Sequence, residues 1–99
     1  MNDLNGILSG VKVLDFSTLL PGPLATLFLA EAGAEVIKVE RPIIGDEMRH
    51  KSPEIEGTNV SFALLNRGKK SIQIDLKDKN AKQRLTPLLK YIDVIVEQF

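Results

Sequence analysis

Val11, Lys12 and Val13 alternate apolar with charged positions, and Leu14 and Phe16 then flank Asp15. This is the pattern of a strand buried on at least one face. Leu19-Leu20-Pro21-Gly22-Pro23 reads as a tight turn whose second proline suits the first position of a helix. Residues 24–32 carry only Thr26 and Glu31 as polar side chains, so that helix should be largely buried, with Gly33 at its carboxyl cap. Residues 34–40 form the next strand, stopped at Arg41-Pro42 because proline lacks the ladder donor. Strand, helix and strand make one βαβ unit with parallel strands.

Residues 41–59 are polar and rich in turn formers (Pro42, Gly45, Pro53, Gly57), and read as a long loop of the kind that carries function or moves. Thr58 or Asn59 can cap a short apolar helix through Leu65, followed by a basic turn, Asn66-Arg67-Gly68-Lys69-Lys70. Residues 71–76 alternate as a third strand, and residues 93–97 give a fourth. Between them, residues 78–91 read as a surface helix with Leu85, Leu88 and Leu89 on one face, and with Pro87 expected to break or bend it. Alternating strands and helices imply an α/β fold, an open and largely parallel sheet with helices on its faces. Ligands of such sheets sit beyond the carboxyl ends of the strands. Here those ends are residues 16–23, 40–49, 75–77 and 97–99, the last meeting the terminus, which suggests a truncated chain.

Length and composition narrow this picture without changing it. The 99 residues allow one core, and a hydrophobic fraction of 43% with 26% charged residues is ordinary for a globular protein. Thirteen Lys and Arg balance 13 Asp and Glu, so no overall field draws the chain to nucleic acid or an anionic membrane, and any anion site must be local. The absence of cysteine excludes disulfides, thiolate metal sites and a cysteine nucleophile. No secretory signal is apparent, and the longest apolar stretch is too short to span a bilayer, so a cytoplasmic, soluble protein is expected.

Local cations are the first chemical candidates. Arg67, Lys69 and Lys70, with Arg41 and Lys77 in the strand-end layer, could grip a ligand with separated phosphate groups such as coenzyme A. From composition alone, a solvated turn is the first reading of this cluster and a binding site the second. Gly22 and Glu40 stand where a dinucleotide fingerprint would need its turn glycine and ribose-binding acid, but no glycine triplet accompanies them, and no Walker-type loop is present. His50, the single histidine, reads as an ordinary loop residue. Asp46, Glu47, Glu54 and Glu56 are scattered rather than set at ligand spacing, so no metal site is expected and solubility is their expected role. Ser17 and Thr18 lack a companion base and are not nucleophile candidates.

The ordered set of Gly10-Val11-Lys12-Val13-Leu14-Asp15-Phe16-Ser17, Pro21-Gly22-Pro23, Gly33-Ala34-Glu35-Val36-Ile37-Lys38-Val39-Glu40-Arg41-Pro42, Gly45-Asp46, Asn66-Arg67-Gly68-Lys69-Lys70-Ser71-Ile72, Asp75-Leu76-Lys77 and Asp93-Val94-Ile95-Val96-Glu97-Gln98-Phe99 resembles the amino-terminal region of the family III CoA-transferases, or CaiB/BaiF family. The resemblance implies that residues 1–99 are the first part of a Rossmann-like CoA-binding domain, with the rest of that domain and a second domain absent. It implies an interlocked homodimer when full length, with a CoA thioester and a carboxylic acid as substrates. It places Arg41 at the nucleotide end of CoA, Ile74 and Lys77 beside the adenine and phosphates, Gln98 and Phe99 at an Asn-Phe pair beside CoA, and Leu19 and Leu20 near the thioester. Gln98 stands in for the commoner asparagine, and Leu20 stands where formyl-CoA transferases carry glutamine, which argues against the oxalate and formate branch. The Leu-Leu-Pro-Gly-Pro loop is closer to the 2-methylacyl-CoA racemases, which share the fold and are the alternative reading. A non-catalytic CoA-binding fragment is a third. In the transferases an aspartate carries the acyl group and then CoA, whereas the racemases use a histidine and an acid. Both sets lie beyond Phe99 in the family pattern, so no residue of this chain is expected to be catalytic.

Overall fold

The computed structural model describes residues 6–51, 53–55 and 57–98. Along them run β1 (Lys12–Asp15), α1 (Pro21–Glu31), β2 (Glu35–Glu40), a 3₁₀ turn (Glu47–His50), β3 (Glu54–Ile55), β4 (Thr58–Asn59), α2 (Val60–Asn66), β5 (Lys70–Gln73), α3 (Ala81–Leu89) and β6 (Val94–Val96). Four strands form one sheet in the order β5-β2-β1-β6. Every pairing in it is parallel: Leu14 faces Ile37 of β2 and Ile95 of β6, and Val39 faces Ile72 of β5. The open parallel α/β sheet with flanking helices that the sequence implies is therefore present.

Helix α1 packs on one face of the sheet with α2 beside it, and α3 packs on the other. The α3 face buries Leu14, Ile37, Val39, Ile74 and Ala81, joined by Phe16, Ile72, Leu85, Leu88 and Ile92. The α1 face buries Val13, Ala34 and Val36, with Leu29, Ala30 and Val96 against them. Covering both faces explains why β1 and β2 do not alternate cleanly in sequence, as expected of central parallel strands.

Some details differ from the sequence expectation. Helix α1 begins at Pro21, so that both prolines fall in the first turn, where a missing N–H costs nothing. Its end matches a Schellman motif: Gly33 takes φ 107, and the Gly33 and Ala34 N–H groups bond to the Ala30 and Leu29 carbonyls. Asn59 is the cap of α2, its side chain accepting the Phe62 N–H at 2.8 Å. Helix α3 starts later than expected and continues through Pro87. The proline lies late in a short, largely exposed helix, where a carbonyl left without its partner can meet water. Leu85 and Leu88 face the core, but Leu89 is 41% exposed, and Ile92 takes the place assigned to it. The stretch read as one long loop contains a two-strand antiparallel hairpin, β3 with β4.

Candidate functional site

A cleft of about 530 Å³ opens at the carboxyl ends of β2 and β5. Phe16, Val39, Ile43, Ile44, Ile74 and Leu76 supply its apolar walls, and Arg41 and Lys77 bring two cations. The parallel topology accounts for the convergence, because β2 and β5 are neighbours and their following loops leave the sheet on the same side. Among the described residues Arg41 has a loose exposed partner, Glu47 at 3.7 Å, which leaves its guanidinium largely in solvent. Asp75 also lines the cleft and accepts the Lys77 N–H at 2.9 Å, which fixes the turn carrying that lysine. Ile43 forms part of the lip at φ 69 and 94% exposure, a conformation that is costly for a β-branched residue.

Beneath the neighbouring loop, on the α1 face, lies an ionic network that reading the acids as solubilising groups missed. Asp46 is buried and pairs with buried Lys38 at 2.8 Å, so its assignment to surface solubility is wrong. The other oxygen of Asp46 accepts the Leu19 N–H at 3.0 Å and the Met48 N–H at 2.9 Å, while Lys38 donates to the Ser17 carbonyl at 3.0 Å. Glu40 receives the Asp46 N–H at 2.9 Å, two bonds from Arg49 at 2.7 Å, and the Ser71 hydroxyl. Burial pushes the Glu40 carboxyl up, but the Arg49, Ser71 and Asp46 hydrogen bonds outweigh it and bring it down to about 2. Asp15 accepts from the Ser17 N–H, the Ser17 hydroxyl and the Thr26 hydroxyl, with Lys69 3.6 Å away. Burial pulls the Lys69 ammonium down to about 8, against the opposing pull of Asp15. Asp15, Glu40 and Asp46 thus face Lys38, Arg49 and Lys69, acid for base.

Glycine is required at two points here. A Cβ on Gly22 would lie 2.1 Å from Ser17 Cβ, and one on Gly45 would lie 2.6 Å from the Glu40 carboxylate, at a φ of 68. The sequence signal for the network was a charge at every second position of a buried strand, Lys38 and Glu40 on β2, with Gly45-Asp46 just after it.

Of the residues singled out from sequence, Arg41, Ile74 and Lys77 come together in the cleft. Leu19 and Leu20 lie in the β1–α1 loop, outside it, with Leu19 at φ 66 and Leu20 53% exposed. Gln98 joins that loop, accepting the Gly22 N–H at 3.0 Å and donating to the Thr18 carbonyl at 2.6 Å. Phe99 lies outside the described residues, as does Glu56. The basic cluster is not one site. Arg67 and Lys70 sit at the amino end of β5, paired with Glu31 and Glu35, while Lys69 runs inward beneath α1 to the Pro23 carbonyl. Glu40 is engaged by Arg49 and Ser71, which leaves it unsuited to the ribose role tested for a dinucleotide site. Ser17 is fully buried against Asp15, and His50 Nε2 lies 2.8 Å from the Ile44 carbonyl. Among the described residues, no helix is long and apolar enough to cross a membrane.

Residues 8–99 match the model of CoA-transferase family III. The chain belongs to that family. Human succinyl-CoA:glutarate CoA-transferase is 45% identical over 99% of this chain and 23% of its own length. A formyl-CoA:oxalate CoA-transferase of Bradyrhizobium diazoefficiens is also 45% identical, over 93% of this chain and 22% of its own. A CaiB/BaiF family protein from Brucella suis superposes with a TM-score of 0.85 at 36% identity, covering 96% of this chain and 26% of that one. A hypothetical protein from Mycobacterium tuberculosis gives 0.82 at 43% identity, over 92% and 25%. This family III chain thus spans about a quarter of the length of these relatives, and overall identity does not separate the succinyl and formyl branches.

Proposed function

We propose that the complete protein is a CoA-transferase that moves CoA from an acyl-CoA donor to a carboxylic acid, and that this chain holds the nucleotide end of CoA. The observation that carries the reading is the convergence of Arg41, Ile74 and Lys77 on one cleft at the strand ends. The fit is chemical. The cleft volume of about 530 Å³ is in the range of small-molecule sites. Its apolar walls suit a purine face, Arg41 and Lys77 suit separated phosphates, and the remaining acceptor capacity of Asp75 suits a ribose hydroxyl. Leu19 and Leu20, in the adjoining loop, would then lie along the pantetheine arm toward the thioester. Gln98 would act on that loop, whose backbone it bridges, and Phe99 would continue from it.

In this reading the aspartate that carries the acyl group lies outside the chain, the complete protein is an interlocked homodimer, and no residue described above takes part in the covalent steps. The named activities of the relatives support transfer over racemisation. Calorimetry on the complete protein tests the nucleotide contact. Arg41→Ala should weaken CoA by roughly 10- to 100-fold, the size of a lost charged contact, and should leave pantetheine, which lacks the nucleotide, almost unchanged. Equal loss for both ligands refutes the assignment.

A further inference from the structure

Asp46 is buried and does not itself line the cleft, though it bonds to Glu40, which does, and it joins the two loops that the proposed function uses. One turn separates it from Arg41: the Gly45 N–H bonds to the Arg41 carbonyl at 3.0 Å, and the Asp46 N–H bonds to Glu40 at 2.9 Å. The Arg41 backbone and Asp46 are thus joined through one hydrogen-bonded turn. On its other side the Asp46 carboxylate holds the Leu19 N–H at 3.0 Å, and its partner Lys38 holds the Ser17 carbonyl at 3.0 Å, so one end of a short segment of the β1–α1 loop is fixed from β2 and the other from the segment that follows β2. Leu19 stands at φ 66, a left-handed conformation that is strained for a non-glycine residue and persists only where its surroundings over-determine it.

We infer that Asp46 is a positioning residue which couples occupation of the Arg41 cleft to the conformation of the Leu19–Leu20 loop. An anion in the cleft draws Arg41 from its loose contact with Glu47. The turn through Gly45 follows, and the Asp46 carboxylate tightens on the strained Leu19 peptide. Binding energy from the nucleotide end is thereby used to order the loop assigned to the thioester end, the general logic by which remote contacts serve a reacting centre. The inference rests on the functional reading above and goes beyond it.

Hydrogen exchange on the complete protein, followed on the peptide that covers Leu19 and Leu20, tests it with adenosine 3′,5′-bisphosphate as the probe. Saturating nucleotide should slow exchange at this peptide by roughly tenfold in the wild-type protein, within the usual range of site-to-site coupling. Asp46→Ala should abolish that slowing while the nucleotide still binds. Asp46→Asn, which keeps an oxygen for the Leu19 N–H but turns an amide toward Lys38, should retain part of it. If the nucleotide binds the wild-type protein and the Leu19 peptide exchanges unchanged, the coupling is overturned without recourse to any variant. If Asp46→Ala responds as wild type does, the coupling exists but Asp46 does not carry it, which also overturns the inference. Failure of the nucleotide to bind at all, or binding indifferent to Arg41→Ala, is a different result. It removes the functional reading, and this inference with it.

Discussion

The two faces of the sheet are held by different physics. Toward α3, Leu14, Ile37, Val39 and Ile74 pack against Ala81, Leu85 and Leu88, and no ionic pair intervenes among these side chains. Toward α1, the same strands begin apolar, at Val13 and Val36, and turn ionic toward their carboxyl ends, at Asp15, Lys38 and Glu40. Apolar burial has no direction, so it stabilises the sheet without fixing where a loop goes. Charged hydrogen bonds are directional, and on the α1 face several end outside the sheet on the segments that follow its strands: Lys38 on Ser17, Asp46 on Leu19 and Met48, Glu40 on Asp46. The α3 face thus contributes stability alone, whereas the α1 face contributes both stability and loop geometry, and substitutions on the two faces should separate these roles.

The largest effect should come from Lys38→Met. It removes the partner of a buried carboxylate, and leaving one charge of a buried pair uncompensated costs about 3–5 kcal/mol. Urea unfolding measures it. The sharper test is the double variant Lys38→Met with Asp46→Leu, which removes both charges. Were the pair a plain buried salt bridge, an apolar replacement could be neutral. Here Asp46 also serves two backbone N–H groups, so the double variant should remain well below wild type. Full recovery would show that the α1 face does not need its ions.

Acid should act on the same face. With its carboxyl near 2 when folded and near 4.5 when free, Glu40 contributes stability that is complete above pH 4.5 and is lost as pH falls through about 2. The contribution is on the order of 3 kcal/mol. Glu40→Gln should therefore show a shallower loss of stability than wild type between pH 4.5 and 2. Parallel acid limbs for the two proteins would contradict the proposed bonding of Glu40.

The four parallel strands, the three helices and the strand-end location of the cleft were legible in the sequence because each rests on local pattern: apolar runs of strand length, prolines and glycines at their boundaries, and Asn59 as a cap. The cleft residues Arg41, Ile74 and Lys77 followed from topology together with a family resemblance. The ionic network did not follow, because a charge at every second position of a strand is the ordinary mark of a solvated face. Lys38 and Glu40 carry that mark while both are buried. Only the arrival of Asp46 and Arg49 from a segment read as loop makes their burial affordable, and such long-range pairing leaves no periodic trace. The split of the basic cluster was hidden for the same reason, since Arg67, Lys69 and Lys70 adjoin in sequence but find Glu31, Asp15 and Glu35 in three directions.

The smallest effect belongs to the α3 face and completes the comparison. Ile37 is 7% exposed and packs in the apolar cluster, directly beside Lys38 in the chain but on the opposite side of the sheet. Ile37→Val deletes one methylene there and should cost about 0.5–1.5 kcal/mol. Because that face reaches the β1–α1 loop through the apolar contact of Phe16 and not through the hydrogen bonds that hold Leu19, the substitution should lower the urea midpoint while leaving hydrogen exchange at the Leu19 peptide, free or nucleotide-bound, as in wild type. Lys38→Met, its neighbour by one residue, should disturb both. If Ile37→Val also loosens Leu19 at temperatures well below unfolding, the faces are mechanically one, and the division between stability and loop geometry fails.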